Sequence, residues 1–192
     1  MNLKEAIKLL DEEFSYNADF ISRIIESLNM DKNAKILDIG TGRGVMAINL
    51  ALHGYSVITG EPEEDKWSDW RTEAKKVHVE NLIEFTPLRA ENLPFEDSIF
   101  DYIFLYVSFH HISDKYRTLK ECVRVNKKQG LIIIIELTPK GIEEVRKNYP
   151  SHTDAVDPRD FVVNLPLSIK TIESPTINAY IFKKKIKKYN LS

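Results

Sequence analysis

The stretch KILDIGTGRGV, residues 35–45, joins a short apolar run to a glycine turn and the start of a second apolar segment. Three of the chain's seven glycines fall within five residues of this turn. The apolar segment 45–53 ends at Gly54, and glycine commonly terminates helices at this position. Residues 35–54 are therefore predicted to form a strand, a tight turn and a helix.

The same alternation continues along the chain, after an amphipathic helix predicted at 3–28 with a break near 15–17. The further strands are predicted at 56–59, 83–88, 102–107 and 131–137, and the further helices at 63–79, 113–125 and 139–149. Residues 167–173 and 177–182 flank a turn and predict a terminal hairpin. We therefore predict an α/β fold with a single Rossmann-like, doubly wound sheet, mostly parallel with a C-terminal antiparallel hairpin strand.

Length and composition narrow the classes of protein. A chain of 192 residues is expected to form one domain, 1–192, and 29 acidic against 27 basic residues do not suit a protein that coats nucleic acid or an anionic membrane. The apolar run 131–135 is too short to span a bilayer, so no membrane partner is expected. Cys122 is the single cysteine, which excludes a disulfide and a cysteine-built zinc site within the chain. With no signal-peptide pattern at the N-terminus, we expect a cytoplasmic protein.

The glycine turn is a candidate cofactor site because ligands of such sheets bind at the carboxyl ends of the strands. A dinucleotide fingerprint requires a third glycine where this chain has Val45. Glu61 follows the next strand, at a spacing suited to accepting hydrogen bonds from both hydroxyls of a ribose. Asp38 adds a carboxylate beside the turn, where a cationic or amino-bearing cofactor can lie. These residues favour a nucleoside ligand, and the alternative is a tight turn required only for packing.

An ordered set of segments resembles the class I S-adenosylmethionine-dependent methyltransferases, of the type with Leu-Pro-Phe and Phe-Asp motifs. The set covers roughly residues 35–137 and comprises residues 36–44, Ala90-Glu91-Asn92-Leu93-Pro94-Phe95, Ser98-Ile99-Phe100-Asp101, Phe109-His110-His111, Leu119-Lys120-Glu121 and residues 125–130. The resemblance implies a helical lid at 1–30, a cofactor-binding core at 35–137, and a C-terminal helix and hairpin at 138–192.

The same resemblance implies S-adenosylmethionine as the cofactor. It assigns cofactor contacts to Asp38, Gly40, Thr41, Gly42, Gly44, Glu61, Pro62, Ala90, Glu91 and Tyr106. In this assignment Glu61 holds the ribose hydroxyls, whereas Pro62, Ala90 and Glu91 border the adenine. One position departs from the family pattern: Arg89 stands where many relatives have Asp, and an Arg cannot accept a hydrogen bond from the adenine amino group.

Fewer residues in the sequence indicate how the molecule that accepts the methyl group would bind. His110 and His111 follow the fourth strand and are candidate catalytic residues that could take a proton from an oxygen or nitrogen nucleophile, or simply shape the substrate pocket. Phe14 and Tyr16, in the predicted lid, are candidate substrate contacts. His53, His78 and His152 are expected to be surface or packing residues, and no metal is expected.

These features predict a methyltransferase that acts on a small molecule, without a stable nucleic-acid partner. The short connections after the fourth and fifth strands predict a site that is either open or covered. The cover would be the N-terminal helix or a partner, either a second copy of the chain or a partner subunit. Two alternatives remain at this stage. The first is a methyltransferase-like binding or scaffold subunit, which the departure from the family pattern at Arg89 favours. The second is an NAD-dependent oxidoreductase, which Val45 disfavours.

Overall fold

A computed structural model describes residues 3–64 and 69–185 of the chain. The helices are α1 (Leu3–Ile7), α2 (Glu12–Tyr16), α3 (Ala18–Ser27), α4 (Val45–Leu52), α5 (Trp70–Lys76), α6 (Lys115–Val125) and α7 (Pro139–Arg146). The strands are β1 (Ile36–Ile39), β2 (Val57–Gly60), β3 (Ile83–Phe85), β4 (Phe100–Tyr106), β5 (Asn126–Leu137), β6 (Leu167–Ile172) and β7 (Ile177–Lys184). Short 3₁₀ helices lie at Glu80–Leu82, Phe109–His111 and Pro158–Phe161. Within the described ranges, every helix falls short of the length and apolarity that a membrane crossing requires.

The seven strands form one sheet in the order β3-β2-β1-β4-β5-β7-β6. The first five strands are parallel, and β7 inserts antiparallel between β5 and β6. This arrangement confirms the predicted Rossmann-like sheet with its antiparallel C-terminal hairpin. The chain runs outward from β1 to β3 and then returns to β4 on the other side of β1. The strand order therefore reverses between β1 and β4, and ligands of doubly wound sheets bind at this point.

Alternating side chains of the central strands feed two apolar layers, one on each face of the sheet. In β5, Ile133 and Ile135 pack in the layer that α3 and α4 cover, whereas Ile132 and Ile134 pack with Leu119 of α6 on the other face. These four isoleucines are at most 1% exposed. Helices on both faces bury the parallel strands completely, which explains the nearly continuous apolar sequence of β5.

Several element boundaries differ from those predicted. The N-terminal helix is divided into three, because turns near residues 8–11 and at Asn17 interrupt it. The helix predicted at 63–79 is present as α5 only, and residues 65–68 lie outside the described residues. Residues 126–129, which precede the strand predicted at 131–137, already belong to β5, because the buried Asn126 amide donates to the carbonyl oxygens of Phe100 and Leu131. The described part of α7 ends at Arg146, before the predicted boundary.

Candidate cofactor and acceptor site

The glycine turn is wedged between the ends of β2 and β4. Gly40 donates its backbone N–H to the carbonyl oxygen of Gly60 at 2.8 Å, and its φ of 91° lies in the left-handed region. A Cβ on Gly40 would stand 2.6 Å from the Cβ of Ser108, and the Ser108 hydroxyl donates to the carbonyl oxygen of Ile39 at 2.9 Å. Glycine is therefore required at position 40 for both its backbone conformation and its close contact.

Gly42 stands in a different environment. Its φ is 48°, and a Cβ built there would meet no atom of the described chain within 4 Å. Its backbone N–H donates to Glu61 Oε2 at 2.7 Å, so the end of β2 is tied directly to the turn. Gly44 follows at the N-terminus of α4, where a Cβ would press against Trp70. The space beside Gly42 is where a ligand can approach the backbone of the turn.

Asp38 lies under the turn and is fully buried. Thr59 donates its hydroxyl hydrogen to Asp38 Oδ2 at 2.8 Å, and the Thr41 and Thr59 hydroxyl oxygens are 2.9 Å apart. Asp38 Oδ1 is buried without a hydrogen-bond partner among the described residues. Burial raises the pKa of Asp38 to about 7; the bond from Thr59 opposes this shift and the Glu61 carboxylate adds to it. An unsatisfied buried carboxylate oxygen of this kind favours a cationic or hydrogen-bond-donating ligand.

A cavity of about 310 Å³ lies next to the end of β2, lined by residues that include Pro62, Leu88, Arg89 and Pro94. Ala90 follows Arg89 in the chain and is buried, and Glu91 accepts a long hydrogen bond of 3.4 Å from the backbone of Asp114. The Arg89 guanidinium pairs with the exposed carboxylate of Glu64 across the rim. Of the three residues that the resemblance places at the adenine, Pro62 lines this cavity, whereas Ala90 and Glu91 are not among its lining residues. Another cavity, of about 350 Å³, lies by Asp31 and Gly130 at the opposite edge of the sheet, away from these residues.

His110 occupies the 3₁₀ helix that follows β4 and is buried against the end of β5. Its Nδ1 lies 2.7 Å from Glu136 Oε2, and its backbone N–H donates to Glu136 Oε1 at 3.3 Å. His110 Nε2 is buried and has no hydrogen-bond partner in the described part of the chain. The Glu136 carboxylate therefore fixes the ring so that Nδ1 carries the hydrogen and Nε2 presents its lone pair.

His152 is half-buried and its ring packs beside His110, which agrees with a packing role. Its ring centroid is 5.0 Å from that of His110 and 5.8 Å from that of His111. Arg146 holds this loop, because its guanidinium donates to the carbonyl oxygen of His152 at 2.9 and 2.6 Å. Desolvation lowers the pKa of His111 to about 4, with smaller contributions from His110, His152 and Lys115. His111 is therefore neutral at neutral pH.

The N-terminal helices reach the same edge of the sheet. Asn17 donates its side-chain amide to the hydroxyl oxygen of Tyr106 at 3.1 Å, at the end of β4. Asp11 faces Arg43 of the glycine turn at 3.6 Å. Phe14 is buried in the apolar layer, whereas Tyr16 is 58% exposed. The segment is therefore attached to the cofactor side of the site through polar contacts.

Most of the predicted site residues converge at the carboxyl ends of β1, β2 and β4. Glu136 and Thr59 were not predicted as site residues, although each is a polar residue within an apolar strand, which is the signal that could have identified them. His152 had no local signal because only the fold brings it to His110. Of the predicted substrate residues, Phe14 is a packing residue in the described structure and Tyr16 faces outward.

Comparisons with known proteins agree with this geometry. The chain is 33% identical over 140 residues to a demethylmenaquinone methyltransferase of Thermotoga maritima, covering 71% of this chain and 59% of that protein. It is 28% identical over 124 residues to a demethylmenaquinone methyltransferase of Clavibacter sepedonicus, covering 65% of this chain and 49% of that protein. The chain thus spans between about half and three fifths of the length of these two relatives.

Solved structures share the fold. A Pyrococcus horikoshii protein superposes with a TM-score of 0.71 at 19% identity, covering 92% of this chain and 93% of that one. A methyltransferase of Aquifex aeolicus, dependent on S-adenosylmethionine, superposes with a TM-score of 0.67 at 18% identity, covering 95% and 98% of the two chains. The sequence profile of the methyltransferase domain family matches residues 37–134, from within β1 to within β5. The chain therefore belongs to the methyltransferase domain family, which confirms the class I resemblance.

Proposed function

We propose that this chain transfers a methyl group from S-adenosylmethionine to a small-molecule acceptor, and that it does so in the cytoplasm. The observation that carries the proposal is the open backbone at Gly42, flanked by the carboxylates of Asp38 and Glu61. Membership of the methyltransferase domain family supports it, as do the names of the relatives. The acceptors in those names belong to the relatives, and this chain's acceptor is a separate question.

Each part of the cofactor would meet a suitable group. Gly40, Thr41, Gly42 and Gly44 would carry the methionine and ribose part along the turn, and Glu61 would accept from the ribose hydroxyls. The cavity beside Pro62 has room for adenine, with the Arg89–Glu64 pair at its rim. Asp38, buried beneath the turn with an unsatisfied oxygen, would attract the positive end of the cofactor through its charge. Tyr106, held by Asn17, would close the floor.

The bound cofactor supplies a methyl group that its sulfonium already makes electrophilic, so the protein mainly has to align the acceptor and exclude water. His110 Nε2 is the basic atom best prepared to take a proton from the acceptor, because Glu136 orients the ring and would stabilise its charged form. His111, neutral and beside it, would line the acceptor pocket. Residues 1–30 would form the lid, with Phe14 as its packing anchor and Tyr16 at the outer surface.

Calorimetric titration with S-adenosylmethionine, S-adenosylhomocysteine and NAD tests the proposal. We expect saturable binding of the first two ligands and no binding of NAD, because Val45 replaces the glycine that a dinucleotide requires. Preferential binding of NAD would instead indicate an oxidoreductase. Failure to bind any of the three would favour a scaffold subunit, in which the Arg89–Glu64 pair closes the adenine side. Sedimentation of the same samples shows whether a second copy covers the open site.

Replacing Glu61 with alanine should weaken S-adenosylmethionine binding by about 1–3 kcal/mol, because a buried hydrogen-bonding carboxylate is lost. The same substitution removes the acceptor for Gly42 N–H. Glu61→Gln retains one oxygen for that bond and therefore separates the ribose contact from support of the turn. Glu84→Ala, at an exposed position of β3, is the control. Equal affinity of the Glu61→Ala variant and the unmodified protein in calorimetry would exclude the ribose role.

Cofactor affinity should depend on pH through Asp38. Since the folded-state pKa of Asp38 is raised to about 7, the carboxyl is mostly protonated at pH 6 and cannot attract a cation until it ionises. Affinity for S-adenosylmethionine should therefore fall about tenfold between pH 8 and pH 6 through this group. Asp38→Asn keeps an oxygen for Thr59 and should lose this part of the dependence, whatever the cofactor's own amino group contributes. Parallel pH profiles of the two proteins would contradict the assignment.

A further inference from the structure

Three imidazoles meet at the carboxyl edge of the sheet, on the acceptor side. His110, His111 and His152 each offer one nitrogen, and the three nitrogens all lie within 4.8 Å of one another. A zinc-class ion with bonds of about 2.0–2.1 Å to each nitrogen needs these atoms roughly 3.4 Å apart in a tetrahedral site. His152 lies on a loop and His111 reaches the surface, so modest adjustments of these two rings suffice.

In His110 and His152, the hydrogen bond at Nδ1 leaves the lone pair at Nε2 for a metal ion. Glu136 accepts from His110 Nδ1 and leaves His110 Nε2 buried without a partner among the described residues. His152 Nδ1 lies 3.0 Å from the carbonyl oxygen of Thr153, which places the hydrogen on Nδ1 and the lone pair on Nε2. A carboxylate or a carbonyl behind the distal nitrogen is the usual support for a metal-bound histidine.

The buried carboxylate of Glu136 suits a cation, and it offsets the positive charge that Lys115 places near the cluster. Glu136 is 1% exposed and places a negative charge directly behind His110. The nearby ammonium of Lys115 donates to the carbonyl oxygens of Ile112 and His110, at 2.7 and 3.3 Å. Imidazole nitrogens select transition metals over Mg²⁺ and Ca²⁺, which prefer oxygen ligands.

We infer that His110, His111 and His152 bind one divalent transition-metal ion of the zinc class, with a fourth coordination position left open. Three histidines with an open position are typical of catalytic rather than structural zinc sites. This inference departs from the sequence-based expectation of no metal, because the single cysteine excludes only a cysteine-built zinc site. The inference also changes the role of His110, because Nε2 would then hold the ion instead of taking a proton.

The open position suggests which acceptors the enzyme would use, a consequence that rests on the proposed function, whereas the metal site itself does not. An acceptor hydroxyl or thiol bound to the ion would release its proton to water at a lower pH than in solution. The resulting oxygen or sulfur anion would form a bond to the methyl carbon. The bond from that carbon to the sulfonium would break, its electron pair would return to sulfur, and S-adenosylhomocysteine would leave.

Titration of the full chain, untagged and stripped of metal by a chelator, with Co²⁺ tests the site. We expect visible d–d absorption that saturates at one equivalent and disappears when Zn²⁺ is added. Glu136→Gln should weaken Co²⁺ binding by roughly 10- to 100-fold, and His152→Ala should weaken it more because a ligand is lost. His111→Asn is a second ligand variant in case the loop of His152 is disturbed. His78→Asn changes a histidine away from the cluster and should leave the titration unchanged.

The results separate this inference from the proposed function. No saturable Co²⁺ spectrum, or equal Co²⁺ affinity in the unmodified protein and both ligand variants, would overturn the metal site. Calorimetry with S-adenosylmethionine on the same samples should show similar affinity with and without metal, because Asp38, Gly42 and Glu61 contribute no ligand to the cluster. Cofactor binding without Co²⁺ binding removes the metal site alone, and Co²⁺ binding without cofactor binding removes the methyltransferase proposal alone.

Discussion

Replacing Glu136 with glutamine should lower kcat by roughly 100- to 10,000-fold, the range associated with losing an oriented acid–base group. Glutamine preserves the size of the side chain, but its amide can donate to His110 Nδ1 and thereby favour the ring form with hydrogen on Nε2. The lone pair at Nε2 is then lost, whether it would take a proton or hold a metal ion. Steady-state kinetics with a responsive acceptor would show the change.

The KM for S-adenosylmethionine should remain nearly constant in Glu136→Gln, because Glu136 lies behind His110 and not on the glycine turn. This division between kcat and KM distinguishes a positioning residue from a general loss of structure. Glu84→Gln neutralises an exposed carboxylate in β3 and serves as the matched control. An unchanged kcat, with thermal unfolding also unchanged, would show that the Glu136–His110 pair has no part in turnover.

Replacing Gly40 with alanine should reduce the free energy of unfolding by roughly 2–5 kcal/mol. About 1–2 kcal/mol comes from a left-handed backbone conformation in a residue with a Cβ, and about 1–3 kcal/mol from forcing that Cβ against Ser108. Thermal or urea unfolding of the purified protein measures the sum. A loss of less than about 1 kcal/mol would contradict the geometry of the turn.

Two further variants divide this effect into its parts. Combining Gly40→Ala with Ser108→Gly removes the opposing Cβ and should recover the crowding part but not the backbone part. Gly42→Ala has the strained backbone alone, because its Cβ would meet no described atom within 4 Å. It should cost only about 1–2 kcal/mol of stability. It should nevertheless lower S-adenosylmethionine affinity about tenfold or more, if the cofactor lies against the turn.

Local pattern was sufficient for the central sheet. Strands buried on both faces consist almost entirely of apolar residues, so the apolar runs near β1, β4 and β5 predict these strands. The glycines after β1 predict the turn. The division of the N-terminal region into three helices could not be predicted from local pattern alone. Its apolar spacing continues through α1, α2 and α3, but tertiary contacts such as that between Asn17 and Tyr106 accompany the breaks between helices.

Some residues of the candidate site can likewise be predicted from the sequence, whereas others cannot. Gly40, Gly42 and Glu61 follow strands whose ends must meet, so their proximity can be predicted from the order of the elements. The association of His152 with His110 depends on how a loop returns after α7 and on the hold of Arg146 on that loop. The spacing of apolar residues in the sequence does not indicate where such a loop returns. Glu136 carried a weaker signal, a single carboxylate at the end of an apolar strand.

The contact between Gly40 and Ser108 has a consequence for how the cofactor and the acceptor would affect each other's binding. Ser108 lies two residues before His110 in the chain. The close contact of Ser108 with Gly40 therefore joins the cofactor turn to the segment that carries the acceptor-side histidines. A ligand that displaces the turn must displace the beginning of the histidine segment as well. A cofactor and an acceptor that both move this contact would therefore be thermodynamically linked, and each would alter the affinity for the other by the same factor. An ion that moves only the rings of His111 and His152 would leave the turn in place.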